Sequence, residues 1–320
     1  MTPTHATPTR TRDRDDLRRG ALLALVTAVV SGVAIYLNAF AVKQVPDPAV
    51  YTTLKNGVAA VALLGLLAAS GGGSVRALRP RQWAGLAFLG LVGGSVPFLL
   101  FFTGLAQASA PSAAFIHKTL FVWVALLAVP LLGERLGWAQ IGGLGALLVA
   151  LLLVAPPTGV AWGTGETLIA AATLLWAAEV IVARRLLAGI GSSVAAAGRM
   201  GFGLAILVGY LVVTGRLGSI AALDAVGWAW VLVTGLLLTA YVATWYAALR
   251  LAPASLVTSV LAGGAVVTAG LQALGSAQPL APAGMIGYGL MLAAVGTLVA
   301  VGIRGVPLAA TLGRAGSLTR

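Results

Sequence analysis

Cysteine is absent from the 320 residues, and acidic side chains are scarce, eight Asp and Glu against twenty Lys and Arg. The first absence excludes disulfides and thiolate metal sites. The two histidines, His5 and His117, stand too far apart in sequence to form a metal cluster, and no cofactor is expected. Charged residues make up 9% of the chain, where a soluble domain carries about 25%. That is too few to cover a globule of this size. Disorder is excluded as well, because it needs low hydrophobicity and high charge, whereas 59% of this chain is hydrophobic and its mean hydropathy is +1.00. The class left is a polytopic membrane protein.

Several motifs are also missing. There is no GxxxxGK[ST] loop to hold nucleotide phosphates, no HExxH and no GxSxG elbow. A membrane-embedded enzyme is therefore one rival reading, without a nucleophile–base pair to support it. A non-transporting structural or channel bundle is the other. The net charge of +12 does not imply nucleic acid, since the cations gather in short segments between apolar runs.

About 20 apolar residues cross a hydrocarbon core at 1.5 Å per residue. That window yields ten spans, at 18–40, 49–70, 83–105, 110–132, 136–154, 165–186, 194–214, 225–248, 253–274 and 281–303. Pro46, Pro48, Gly71-Gly72-Gly73, Pro111, Pro156-Pro157 and Pro253 punctuate them. With the N-terminus inside, fifteen Lys and Arg fall in cytoplasmic segments and two, Lys43 and Arg216, outside. The positive-inside rule then puts both termini in the cytoplasm. Residues 1–17 are expected to be a disordered cytoplasmic tail rather than a leader, 155–164 a linker and 304–320 a second tail.

The halves match at an offset of about 144. Trp83-Ala84 finds Trp228-Ala229, Ala110-Pro111-Ser112 finds Ala252-Pro253-Ala254, Leu132-Gly133 finds Leu274-Gly275, and Lys55 aligns with Arg199. Five spans per repeat is an odd number, so 165–303 must enter the membrane inverted relative to 18–154. Inverted repeats place binding sites at their interface, near the midplane.

Three stretches resemble the EamA-type branch of the drug/metabolite transporter superfamily. They are AAFIHKTLFVWVALLAVPLLGERL (113–136), GETLIAAATLLWAAEVIVARR (165–185) and LRLAPASLVTS (249–259). The resemblance implies ten helices, cytoplasmic termini and export of small organic metabolites through a central cavity. One departure is Gly275-Ser276 where the first half has Gly133-Glu134.

Three cations remain inside the membrane, and intramembrane charge calls for a partner or a role. Glu179 and Arg199 come to similar depth on consecutive helices, either as a static ion pair or as a gate linked to protons. Lys55 and Lys118 lie toward the other surface. With His117 they would make a cationic vestibule, Lys118 meeting an anionic substrate group. Alternatively Lys55 snorkels outward, Lys118 finds an acceptor on another helix, and His117 is a packing residue. Glu134, at the inner end of the fourth span, is expected to pair with Arg135 or another cytoplasmic cation.

Helical spacing puts Lys118 with Phe121, Trp176 with Glu179, and Tyr241 with Trp245 on shared stripes. These suit a partly apolar, partly charged solute. Phe98, Phe101 and Phe102 lie in a segment that is apolar on every face and do not mark a cavity. Pro97 bends its helix and frees a carbonyl. Gly90 and Gly94, spaced as GxxxG, suit a close helix contact. The expectation is an all-α bacterial inner-membrane carrier, monomer or homodimer, not an enzyme. It would move amino acids or related amphiphiles by alternating access, with protons as a candidate coupling ion.

Overall fold

The computed structural model describes residues 8–45, 47–71, 73–105, 107–108, 110–154, 162–276 and 282–305. These form ten membrane-crossing segments: α1 (Pro8–Ala41), α2 (Pro48–Ala69), α3 (Pro80–Leu105), α4 (Ala110–Lys118 and Leu120–Leu132), α5 (Trp138–Val154), α6 (Thr164–Leu186), α7 (Ser192–Val213), α8 (Ala225–Leu251), α9 (Ala254–Ala262 and Gly264–Ser276) and α10 (Pro282–Gly305). Nine are long and apolar enough to cross a bilayer by themselves, and α5 has 17 residues. At 1.5 Å per residue, α5 is about 25 Å long, the short end of the spanning range. No strand occurs among the described residues.

Local chemistry sets the ends. The Asp47 carboxylate accepts from Ala49 N at 2.8 Å, and Pro48 opens α2 where its missing N–H costs nothing. Asp224 starts α8 by accepting from Gly227 N at 2.7 Å. Gly133 stops α4 with φ +68°, a left-handed conformation that glycine adopts without a Cβ clash.

Residues 8–17, expected as a disordered tail, continue α1 as helix. Leu17 is buried in the main core, and Gly20 lies directly against Leu251 and Ala252 at the end of α8. These contacts tie the helix end down. The rest of that expected tail (1–7), the linker residues 155–161 and the tail from 306 onward lie outside the described residues.

Helix pairing repeats when each number is raised by five. α1 packs on α8 as α6 does on α3, α2 on α8 as α7 on α3, and α1 on α9 as α6 on α4. Two pairs join equivalent helices and give the direction. Along α2 and α7, Gly57 meets Leu204 while Gly201 meets Leu64. Along α5 and α10, Gly143 meets Leu298 while Gly287 meets Val154. Both pairs run antiparallel, so the two five-helix repeats are inverted. The segmented helices repeat too: α4 breaks at Thr119 and α9 at Gly263.

One end of the bundle is rich in arginine and knitted by polar contacts. Gln82 Nε2 donates to Gly189 O at 3.1 Å, Arg184 Nη1 to Arg250 O at 3.0 Å and Arg185 Nη2 to Leu131 O at 2.7 Å. Among the described residues Glu134 forms no ion pair with Arg135, and Arg184, at the same end, is the cation within its electrostatic reach. The Glu134 carboxylate accepts from Ala254 N at 2.6 Å, Ser255 N at 3.2 Å and Ser255 Oγ at 2.5 Å. The reason is the helix terminus: the first amides of α9 are unpaired donors carrying partial positive charge, and a carboxylate satisfies both needs at once. Large apolar side chains such as Leu22, Val61, Leu126 and Ile286 face outward, as lipid contact requires.

Candidate functional site

The site begins with one missing hydrogen. Pro97 has no N–H, so the carbonyl four residues back, Gly93 O, loses its helical donor. The helix responds with a π-helical segment over Gly90–Ser95, in which Val96 N reaches Leu91 O, five residues back. Three side chains from other helices donate to Gly93 O and the next carbonyl along. Arg199 Nη2 donates to Gly93 O at 2.8 Å, Trp176 Nε1 to the same oxygen at 3.3 Å, and Asn56 Nδ2 to Gly94 O at 3.2 Å.

Arg199 also holds Glu179. Its Nε lies 2.8 Å from Glu179 Oε1 and its Nη2 3.4 Å from Oε2, with the two residues only 4% and 3% exposed. The Nε contact is an ion pair rather than a well-directed hydrogen bond, since that nitrogen has no aligned acceptor. Tyr246 OH donates to Glu179 Oε1 at 2.7 Å. A Cβ at Gly93 would meet the Glu179 carboxyl group, so a side chain there would push Glu179 away from Arg199 and Tyr246. Gly90 and Gly94 lie against Phe202, Gly203 and the Arg199 backbone of α7, the close approach that their spacing suggested.

A second cation occupies the equivalent place in the other repeat. Lys55 is the eighth residue of α2 and Arg199 the eighth of α7. Lys55 does not snorkel: it is 5% exposed, and its Nζ donates to Asn38 Oδ1 of α1 at 3.2 Å. Tyr51 OH donates to the same oxygen at 2.5 Å and lies 3.0 Å from the Thr234 hydroxyl of α8. The ammonium sits 5.1 Å from the Tyr51 ring centre, 5.2 Å from Phe102 and 5.7 Å from Phe98. Such distances give cation–π attraction.

Phe98 links the two cations, for the Arg199 guanidinium carbon also lies 5.9 Å from the centre of its ring. From Phe98 an aromatic cluster runs through Trp176 (5.3 Å between centres) to Phe101 and His117, which lie 5.6 and 5.0 Å from Trp176. His117 Nδ1 is buried without a hydrogen-bond partner among the described residues.

Of the residues expected from sequence, the structure brings Lys55, His117, Trp176, Glu179 and Arg199 into this assembly. Tyr241 adjoins it, stacked on Trp245 at 5.9 Å and within electrostatic reach of Arg199 and Glu179. Trp245 and Phe121 belong to the apolar core, 3% and 2% exposed. Between Lys118 and Phe121 the helix is interrupted only at Thr119, which keeps helical φ and ψ. Phe121 is packed in the apolar core while Lys118 is half-buried. No hydrogen bond or ion pair ties Lys118 to another described residue.

The sequence reading missed Asn38, Tyr51, Asn56, Gly93 and Tyr246, and it discounted Phe98, Phe101 and Phe102, whose half-buried rings face this cluster. A signal for Gly93 was present. Counting four residues back from Pro97 names the carbonyl that must find a side-chain donor.

A model of the EamA-like transporter family matches residues 18–155 and 163–300, once for each repeat. A solved structure, described only as "Crystal structure of protein", superposes with a TM-score of 0.72 at 17% identity, covering 89% of this chain and 98% of its own. At that identity the likeness shows a shared fold. No curated protein matches the chain.

Proposed function

We infer that the chain, which belongs to the EamA-like transporter family and is a multi-pass membrane transporter of small molecules, exports amphiphilic organic metabolites across a bacterial inner membrane by alternating access. Amino acids and related compounds are the first candidates. The observation that carries this reading is the collection of buried charge and aromatic surface where the inverted repeats meet. Asn38, Lys55 and Phe98 come from the first half, and Trp176, Glu179 and Arg199 from the second. A packed structural bundle has no need of such a collection, since each buried charge costs about 2.5–3.5 kcal/mol on insertion scales.

In this reading Glu179 and Arg199 form a gate toward the arginine-rich end, which is cytoplasmic by the positive-inside rule. Opening that end requires Arg199 to leave Glu179 or Gly93 O, and a polar solute or a proton on Glu179 supplies the replacement. Trp176, His117 and Tyr241 offer the apolar wall, and Lys118 an anion contact near the far end. The energy comes from a gradient or from exchange, with protons the candidate coupling ion. The chemistry is translocation, not catalysis.

The test is counterflow. Purified protein in liposomes, loaded with each of a panel of amino acids, aromatic metabolites and cationic drugs, should accumulate labelled substrate saturably, and a pH gradient should alter the rate. No accumulation of any compound in the panel rejects the carrier reading.

A further inference from the structure

We propose that Lys55 is the anchor of a carboxylate subsite, and that the transported solute is an organic anion with an apolar or aromatic body. The proposal rests on the carrier reading above and names its substrate class. It follows from an inequality between two equivalent places. In each repeat the eighth residue of the second helix is a cation bonded to a side-chain oxygen on the first helix, and in each that oxygen also accepts from a tyrosine hydroxyl. Both cations also lie against a glycine on the third helix of the other repeat: Gly235 approaches the Lys55 backbone as Gly94 approaches that of Arg199. In the second repeat the oxygen belongs to Glu179, and the pair is neutral. In the first it belongs to Asn38, and the charge of Lys55 has no carboxylate among the described residues.

Lys55 has three N–H donors, of which one reaches Asn38 Oδ1. Both lone pairs of that oxygen are taken, by Lys55 and by Tyr51, so Asn38 has nothing more to offer the ammonium. Among the described residues the remaining N–H groups have no further hydrogen-bond acceptor and lie near the Tyr51, Phe98 and Phe102 rings, which favour a cation but accept no strong hydrogen bond. A carboxylate arriving there supplies the missing counter-charge and two strong acceptors, beside a cation that is buried from solvent. The wall beyond Phe98 is aromatic, formed by Trp176, Phe101 and His117. The buried, unpartnered His117 Nδ1 gives that wall one polar point.

Binding and transport are measured separately on the full chain. The binding probes are indole-3-propionate and its carboxamide, equal in shape and different in charge, with the corresponding amine as a third. Wild type should bind the acid about tenfold or more tightly than the amide, as a charge-assisted hydrogen bond commands, and the amine most weakly. In Lys55→Gln the acid should lose that advantage while amide affinity stays within about twofold, and Lys55→Arg should keep part of the preference. Equal binding of acid and amide by wild type overturns the proposal, as does an acid preference that survives in Lys55→Gln. Should Lys55→Gln not fold, Lys118→Gln decides together with wild type: an acid preference kept in Lys118→Gln leaves Lys55 as its source, and one lost there overturns the proposal. Counterflow of the same probes separates the two claims. An acid preference without counterflow removes the carrier reading and leaves the anion site, whereas counterflow without an acid preference does the reverse.

Discussion

Removing one charge from the Glu179–Arg199 pair while keeping side-chain size tests whether the two residues act as a unit. At the Nε–Oε1 separation of 2.8 Å, an effective dielectric of about 20 gives a gross attraction near 6 kcal/mol. Most of that is offset by taking both ions out of water, so the intact pair contributes little net stability. The asymmetry appears on breaking it. In Glu179→Gln the Tyr246 hydroxyl still finds an acceptor, but the guanidinium is left buried without a counter-charge, a loss of about 3–5 kcal/mol. Arg199→Gln strands the carboxylate and also removes the 2.8 Å bond to Gly93 O, and it should cost a similar amount. The double variant buries no net charge and should lose far less than the sum, leaving a coupling energy of about 3 kcal/mol. Denaturant unfolding of the purified protein in mixed micelles, followed by tryptophan fluorescence, reads all three values. Single losses below about 1 kcal/mol that add without coupling would refute the argument. Transport supplies the second arm: if Glu179→Gln leaves both rate and pH dependence unchanged, the pair is a strut and not a gate.

Three further outcomes are expected. Pro97→Ala restores an N–H that competes for Gly93 O, so folding should be kept or improved while transport falls about tenfold or more; an unchanged counterflow rate would separate the π-helical segment from function. Glu134→Ala exposes the first amides of α9 and the Ser255 hydroxyl, at a cost of about 0.5–2 kcal/mol, read as earlier unfolding and faster protease cleavage at that end. At the opposite end, Asp47→Ala should cost about 1 kcal/mol by uncapping α2, whereas Arg216→Ala should cost less than about 0.5, since its 3.3 Å contact with Asp47 is solvent-exposed. Equal losses for those two variants would mean that the ion pair, not the cap, holds this corner.

The ten segments were legible because bilayer thickness fixes a length that apolar runs must meet, and because prolines mark their starts. The ends agree within a few residues except at α1, where Leu17 packs into the core and holds helix far beyond the apolar run. Glu179 and Arg199 were legible from depth alone, since two opposite charges at one level of neighbouring helices have few other ways to be satisfied. The facing of Phe98, Phe101 and Phe102 was not. A segment apolar on all sides carries no periodic signal, and here the orientation is set by the π-helical insertion, which rotates everything after it. Helical spacing placed Lys118 beside Phe121 but could not say that Phe121 would be packed in the core and Lys118 left half-buried. Asn38 was invisible because a neutral amide in an apolar run attracts no attention until its place opposite Lys55 is known.

An inverted duplication gives each half the same scaffold but not the same chemistry, and the difference here lies in what the first helix of each half offers its cation. One offers an amide, Asn38, and the other a carboxylate, Glu179, about one turn from the matching position. Glu179 turns the cation of α7 into a closed, neutral unit that also occupies the carbonyl freed by Pro97. Asn38 leaves the cation of α2 with its charge unspent and aromatic rings for neighbours. Symmetry in the backbone accounts for why the two cations sit at matching depth from opposite ends. It cannot account for why one is neutralised and the other is not, because packing alone would be served equally by an ion pair in both places. The position that the duplication left unpaired is therefore where a solute has something to add.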